Sequence, residues 1–174
     1  REKHLRLEQQ LSPGIPAYVL GDATRLQQVI LNIVGNAIKF TTEGRVAIKV
    51  AVEGFDGSRV IVRFEISDTG TGLTPQQQKD VFEPFVQVES RGSSNPGGTG
   101  LGLSICRKLL TLMEGDIGVD STPGRGSCFW FHVPFIVCEA DTVAELTAAA
   151  AVDLHSIPSM QILLAEDNDI NRKI

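Results

Sequence analysis

Two runs of strict alternation, Val46, Ile48, Val50, Val52 and then Val60, Val62, Phe64, Ile66, flank the polar break Phe55-Asp-Gly-Ser58. A period of two puts each set on one face of a strand, and Asp-Gly supplies the backbone angles of a tight hairpin turn. A hairpin with one apolar face must be covered on that side. The cover is legible upstream. Leu26, Val29, Ile30, Ile33, Ala37 and Ile38 recur at helical spacing, predicting an amphipathic helix over residues 23–40 with Asp22 as its N-cap. Before it, Leu5, Leu7 and Leu11 share one face of a strand, ended by Ser12-Pro-Gly-Ile-Pro16. After the hairpin, Pro75 can start a short helix, and a second helix is expected over 102–113. Two more strands are expected over 116–121 and 127–135, around the turn Thr122-Pro-Gly-Arg-Gly126. The expected fold class is α+β: a mostly antiparallel sheet with helices on one face.

The chain has 174 residues, 42% hydrophobic, enough for a proper core. A net charge of −5 argues against a nucleic-acid surface or an anionic membrane surface. A polyanion bound here needs backbone amides and a metal to hold it. Cys106, Cys128 and Cys138 are odd in number and lack CxxC spacing, which reads as reduced packing thiols. The most apolar stretch, 131–138, is far shorter than the ~20 residues that cross a bilayer.

Three segments carry chemistry. On the helix over 23–40, Gln28, Asn32, Asn36 and Lys39 line one stripe opposite the apolar face. An asparagine oxygen is a neutral hard ligand suited to Mg²⁺ that keeps water and phosphate, and a lysine one turn on can neutralise phosphate oxygens. A solvated polar face gives the same spacing. The second segment, Asp68-Thr-Gly-Thr-Gly-Leu73, ends an alternating strand. Its glycines allow close backbone approach, and its carboxylate can accept a hydrogen bond from an exocyclic amine; an ordinary turn reads alike. The third, Gly97-Gly-Thr-Gly-Leu-Gly102, runs into a helix, and unpaired N–H groups with the positive dipole end make an anion site there; a glycine-rich hinge reads alike. It lacks the GK[ST] ending of a P-loop and follows no strand, so neither a Walker nor a Rossmann reading fits.

In this order, with Phe82-Glu-Pro-Phe85 between the glycine segments, the chain resembles the GHKL ATPase superfamily, in its histidine-kinase branch, over residues 5–135. Asn32-Ile-Val-Gly-Asn-Ala-Ile-Lys-Phe-Thr41 resembles the N box, 68–73 the G1 box, 82–85 the F box and 98–103 the G2 box, with Gly124-Arg-Gly-Ser-Cys-Phe129 similar to the closing segment. The resemblance implies a two-layer α/β sandwich of the Bergerat type with a flexible ATP lid, and residues 86–98, rich in Gly, Ser, Asn and Pro, are expected to be that mobile loop. It implies ATP and Mg²⁺ as cofactors. Asn36 would ligate the ion, and Asn32 would position metal and triphosphate. Lys39 would contact phosphate, with Asn32 and Lys39 the catalytic pair. Phe40 would lie by the nucleotide. Asp68 would read the adenine amine beside Gly70, Gly72 and Leu73. Gly98, Thr99, Gly100, Leu101, Gly102 and Leu103 would form the lid's phosphate contact, and Gln87 and Ser127 complete the implied set. Phe82 and Phe85 are open between core and lid anchor. Thr71 departs from the usual aliphatic residue, and Ser93-Ser94 from a Thr-Arg pair for which Arg91 is the available substitute.

Hydrolases of the superfamily carry a glutamate where Asn32 stands. An amide cannot act as a general base, which favours transfer of phosphate to another group over hydrolysis. The acceptor implied is a histidine on a dimerisation domain of the same protein. His4, His132 and His155 lack its context and read as ordinary residues, His4 within the first strand. Residues 1–136 are thus the expected catalytic domain and 137–159 a linker. Residues 160–174 resemble the first strand of a receiver domain, where Glu166 and Asp167 would bind Mg²⁺ once the domain is complete. The partners implied are the histidine domain and the receiver, with no nucleic acid and no direct membrane contact. The fragment is expected to be monomeric, in the cytoplasmic portion of a membrane-associated sensor kinase; the alternative is a nucleotide-binding signalling module without phosphotransfer. Incubated with labelled ATP and Mg²⁺, this chain is predicted to acquire no acid-labile phosphate.

Overall fold

The structure is a computed structural model whose described residues are 3–87 and 99–139. The chain divides into two compact units, Arg1–Cys138 and Glu139–Ile174. All of the second but Glu139 lies outside the described residues, and with it the expected receiver strand and the expected linker from residue 140 on; at the linker's expected start, Val137 ends β6. So does most of the expected lid.

The first unit runs β1 (Leu5–Leu11), β2 (Val19–Leu20), α1 (Ala23–Phe40), β3 (Gly44–Asp56), β4 (Arg59–Asp68), α2 (Pro75–Asp80), α3 (Gly102–Leu112), β5 (Asp116–Thr122) and β6 (Gly126–Val137). The sheet order is β1-β3-β4-β6, with β5 and β2 on successive stretches of the free edge of β6. Among the described residues only the β1–β3 pairing is parallel. His4 precedes β1 rather than lying in it.

The alternation written in the sequence becomes the two faces of this sheet. Val60, Val62, Phe64 and Ile66 of β4 and Phe129, Phe131, Val133 and Phe135 of β6 are buried on one side. There they meet Val29, Ile33 and Ala37 of α1 and Cys106 and Leu110 of α3 in one core. Phe64 and Phe131 stack at its centre, ring centroids 4.7 Å apart. The opposite face is polar and aromatic: the Arg63 guanidinium lies 4.6 Å over Trp130, whose indole N–H donates to Asp120 at 3.0 Å. His132 stacks on Trp130, its Nδ1 3.6 Å from Glu53, within ion-pair range but too long for a hydrogen bond.

The helices begin and end on identifiable groups. Asp22 accepts from the Arg25 N–H at 2.9 Å as the N-cap of α1. At the other end the Lys3 ammonium donates to the carbonyls of Ile38, Lys39 and Thr41, and the Thr41 hydroxyl donates to Ala37. A cation on these last carbonyls also suits the negative end of the helix dipole. Thr74 and Gln77 form a capping box that starts α2 with Pro75 at its first position.

Three expectations need correction. Ile38 is exposed (36%), because the sheet covers only the stripe through Val29, Ile33 and Ala37. β2 was not expected, since its two residues are held only by pairing with Ile136 and Val137. β6 continues past Pro134 to Val137; Pro134 falls between the stretches paired with β5 and with β2, where a missing N–H breaks no ladder.

Phe131→Ala empties the middle of this core and is predicted to lower unfolding free energy by ~3–5 kcal/mol. Denaturant unfolding checks it; a loss near zero would place the core elsewhere.

Candidate functional site

Asp68 occupies the fifth inward position of β4, after Val60, Val62, Phe64 and Ile66. It is only 8% exposed. Its carboxylate accepts from the Gly70 N–H at 2.8 Å and from the Ser127 backbone N–H of β6. Burial pushes its pKa up from the ordinary carboxylate value, and the two N–H groups oppose that shift. The Asp68 carboxylate therefore stands at the mouth of the apolar core.

The glycines around it are there because backbone passes too close for a side chain. A Cβ on Gly70 would lie 2.5 Å from the Phe40 carbonyl oxygen. Gly72, at φ +64°, is pressed against the Thr122 carbonyl, and Gly126, at φ +99°, against that of Asp68. These contacts bring the end of α1, the Asp68 loop and the turn before β6 together. Leu73 N–H donates to the Ser121 hydroxyl at 2.7 Å, and that hydroxyl reaches Gly126 O and the Ser127 hydroxyl. Ser121 was not among the sequence candidates; nothing in its local pattern marks it, because its partners come from the far side of the turn.

The polar stripe of α1 leads from this cluster toward α3. Asn32 and Asn36 are half-buried, and Lys39 is exposed with its ammonium 4.8 Å over the Phe40 ring. A Cβ on Gly102, the first residue of α3, would lie 3.0 Å from Asn32 Oδ1, so the stripe meets α3 at its N-terminus. That terminus has no side-chain cap: Leu101 sits at the cap position, while Thr99 Oγ1 accepts from Leu101 N–H at 3.3 Å. Gly100 adopts φ +70° with Phe85 backbone against it, and the Phe85 N–H donates to Gly100 O at 3.0 Å. Leu101 and Leu103 are half-buried at the start of α3.

From Asn32 to Phe40 the helix rises about 12 Å. The carboxylate cluster and the uncapped helix end are thus at opposite ends of one polar stripe, a separation on the scale of an extended nucleotide. An open concavity of about 430 Å³ lies over Thr24, Gln27, Gln28, Leu31 and Asn32, and it touches the stripe only at its Asn32 end.

The two phenylalanines divide. Phe82 is core, buried and edge-to-face on Phe129 at 6.3 Å. Phe85 is 74% exposed at φ +66°, a strained backbone for an aromatic residue, and belongs to the Gly100 contact. Gln87 is exposed just beyond. Gly98, Glu166 and Asp167 lie outside the described residues. The cysteines are free. Among the described residues no helix is long and apolar enough to cross a membrane, and no group of three or more His, Cys, Asp or Glu could hold a metal.

Residues 21–136 match the family model described as histidine kinase-, DNA gyrase B-, and HSP90-like ATPase. The peroxide stress-activated histidine kinase mak2 of Schizosaccharomyces pombe is 44% identical over 135 residues, 75% of this chain and 6% of mak2. The signal transduction histidine-protein kinase BarA of Escherichia coli is 44% identical over 132 residues, 76% of this chain and 14% of BarA. The chain thus spans a small part of such relatives. Among solved structures, full-length ShkA in complex with AMPPNP superposes with a TM-score of 0.64 at 38% identity, over 78% of this chain and 27% of ShkA. The catalytic domain of the histidine kinase ThkA gives 0.56 at 29% identity, over 75% of this chain and 80% of that one. The curled, mostly antiparallel sheet with its helices is the architecture of those catalytic domains, and the chain belongs to the histidine kinase-, DNA gyrase B-, and HSP90-like ATPase family.

Proposed function

We propose that this domain binds Mg²⁺-ATP along the stripe from Asp68 to Gly102 and donates the γ-phosphoryl group to a histidine on a dimerisation domain of the same protein, in a phosphorelay that continues to a receiver domain. The observation that carries the reading is the arrangement itself. A buried carboxylate among close-packed glycines stands at one end of α1, an uncapped helix N-terminus at the other, and amides and a lysine between.

The donor set fits a magnesium nucleotide. With no cluster of carboxylates among the described residues, a hard ion takes most of its ligands from phosphate and water, and a neutral amide suits the remaining place. Asn36 is the residue for that place, with Asn32 beside it positioning the phosphates. When bound, the ion neutralises charge on the phosphoryl oxygens. Asp68 accepts from the adenine amine, and Gly70, Gly72, Leu73 and Ser127 shape the space for the flat ring. Lys39 meets phosphate, and Phe40 lies against the nucleotide. The N–H groups from Thr99 to Leu103, with Gly98 and Gln87, receive the terminal phosphates. With an amide at Asn32, no group stands there to activate water, so the site favours transfer to a positioned acceptor. The surrounding protein is a membrane-associated sensor kinase with this domain on its cytoplasmic side.

Given a separately produced histidine-bearing dimerisation domain from a relative such as BarA, labelled ATP and Mg²⁺, the chain is predicted to label that domain, and Asn36→Ala to reduce the rate by at least about 100-fold, the scale of losing a transition-state contact. Intact nucleotide binding with no label on any acceptor domain would instead favour a signalling module without phosphotransfer.

The buried carboxylate also predicts a pH effect. A carboxyl whose folded pKa is raised loses stability as pH climbs from its unfolded pKa through its folded one, because the unfolded chain ionises first. The Tm of Asp68→Asn minus that of the parent chain should therefore rise with pH just above 3.8, the ordinary value, and then level off. A difference that does not change with pH would mean that Asp68 ionises as freely as in the unfolded chain.

A further inference from the structure

The buried side of the sheet ends in a row of polar side chains. Ile66, Phe129 and Val119 stand abreast on β4, β6 and β5 and pack into the core. Two residues along the same strands, the register sets Asp68, Ser127 and Ser121 abreast on that same face. Ser121 stands at the far end of this row from Asp68. Its hydroxyl oxygen accepts from the Leu73 N–H at 2.7 Å and lies 2.9 Å from the Gly126 carbonyl oxygen and 3.0 Å from the Ser127 hydroxyl. A hydroxyl has one proton, and these three contacts decide where it goes. The Gly126 carbonyl can only accept, so Ser121 donates to it. Leu73 N–H takes one lone pair of Ser121. The Ser127 hydroxyl then donates to the other, since Ser121 has no proton left to give.

We propose that Ser121 is a positioning residue for base recognition: by accepting the Ser127 proton it leaves Ser127, beside Asp68 in the row, able only to accept from a bound base. The inference rests on the reading of Asp68 as the base end of a nucleotide site. Asp68 and Ser127 then present acceptors alone to the edge of the base. An exocyclic amine has two hydrogens to donate to them; a carbonyl oxygen in the same place has none and meets lone pairs. A serine with a free proton discriminates little, because its hydroxyl turns to donate or accept as the ligand requires. The row therefore selects a base carrying an amine over one carrying a carbonyl, and Ser121 sets that choice through Ser127. A separate tie joins the loop to β5. The Gln78 side-chain amide donates to the carbonyls of Leu73 and Ser121 at 3.3 and 3.0 Å, so the loop stays docked when the Ser121 hydroxyl is removed.

The test measures the affinity of the whole chain and its variants for ADP and for inosine diphosphate, in which a carbonyl oxygen replaces the adenine amine. The parent chain is expected to prefer ADP. In Ser121→Ala the Ser127 proton is released, and the preference should shrink by about five-fold, the scale of one neutral hydrogen bond. Ser127→Ala should shrink it as well, and adding Ser121→Ala to Ser127→Ala should change it no further. Ser121→Thr, which keeps the hydroxyl, should hold the parent's preference. Should Ser121→Ala fail to fold, Ser121→Cys, close in size with only a weak hydrogen-bonding group, takes its place. Affinities that keep their ratio in Ser121→Ala, whether lowered together or unmoved, overturn the proposal, since a loosened loop lowers both alike. So does a double variant that discriminates less than Ser127→Ala alone. A parent chain that binds neither nucleotide, or both equally, overturns instead the reading of Asp68 on which the proposal rests.

Discussion

Asp68 ends a row of apolar side chains on the buried face of β4, where a fifth hydrophobic residue would complete the core. Leaving a carboxylate there costs desolvation, and the structure offsets it with N–H groups from two elements, Gly70 in the following loop and Ser127 at the start of β6. Satisfying Asp68 therefore requires that loop and strand both be seated. The same seating presses Gly70 onto Phe40, Gly72 onto Thr122 and Gly126 onto Asp68. A side chain at Gly70 would part the loop from the end of α1, and one at Gly72 or Gly126 would part the end of β4 and its loop from the turn before β6. The glycines are consequences of that close approach as much as features of a ligand loop.

Around this constraint the domain separates two tasks. The sheet's buried face and the apolar stripe of α1 hold the fold; the polar stripe and the strand ends hold the chemistry. α1 serves both, which explains how firmly it is terminated. Lys3, from outside the sheet, caps its last carbonyls beside Phe40, so the chain before β1 helps fix the end of the site. α3 contrasts with it. Its N-terminus has no side-chain cap, leaving N–H groups there for a ligand to meet.

The fold was readable where the signal is local and repetitive. Alternation predicted β1, β3 and β4, helical spacing and Asp22 predicted α1, and Asp56-Gly57 marked the hairpin. What escaped was decided at a distance. β2 exists only through its pairing with the end of β6, and Ile38 fits the apolar period but projects beyond the sheet that would cover it. The candidate residues were found through motif order, since each motif alone resembles an ordinary turn or polar face. Order could not tell Phe82, which packs into the core, from Phe85, which does not. Nor could it find Ser121, whose hydroxyl meets Leu73 from far away in the sequence. One signal was present yet weakly used: an aspartate continuing an inward row of valine, phenylalanine and isoleucine is out of place in a strand, and it marks the site before any motif is invoked.

The central claim is that one nucleotide spans the stripe, its base end at Asp68 and its metal end at Asn36. Calorimetric titration with AMPPNP, with and without Mg²⁺, tests it most directly when run on the parent chain, Asp68→Asn and Asn36→Ala. The account predicts that Asp68→Asn weakens binding under both conditions, whereas Asn36→Ala removes only the gain due to Mg²⁺. No binding by the folded parent chain, or the same profile for both variants, would contradict it.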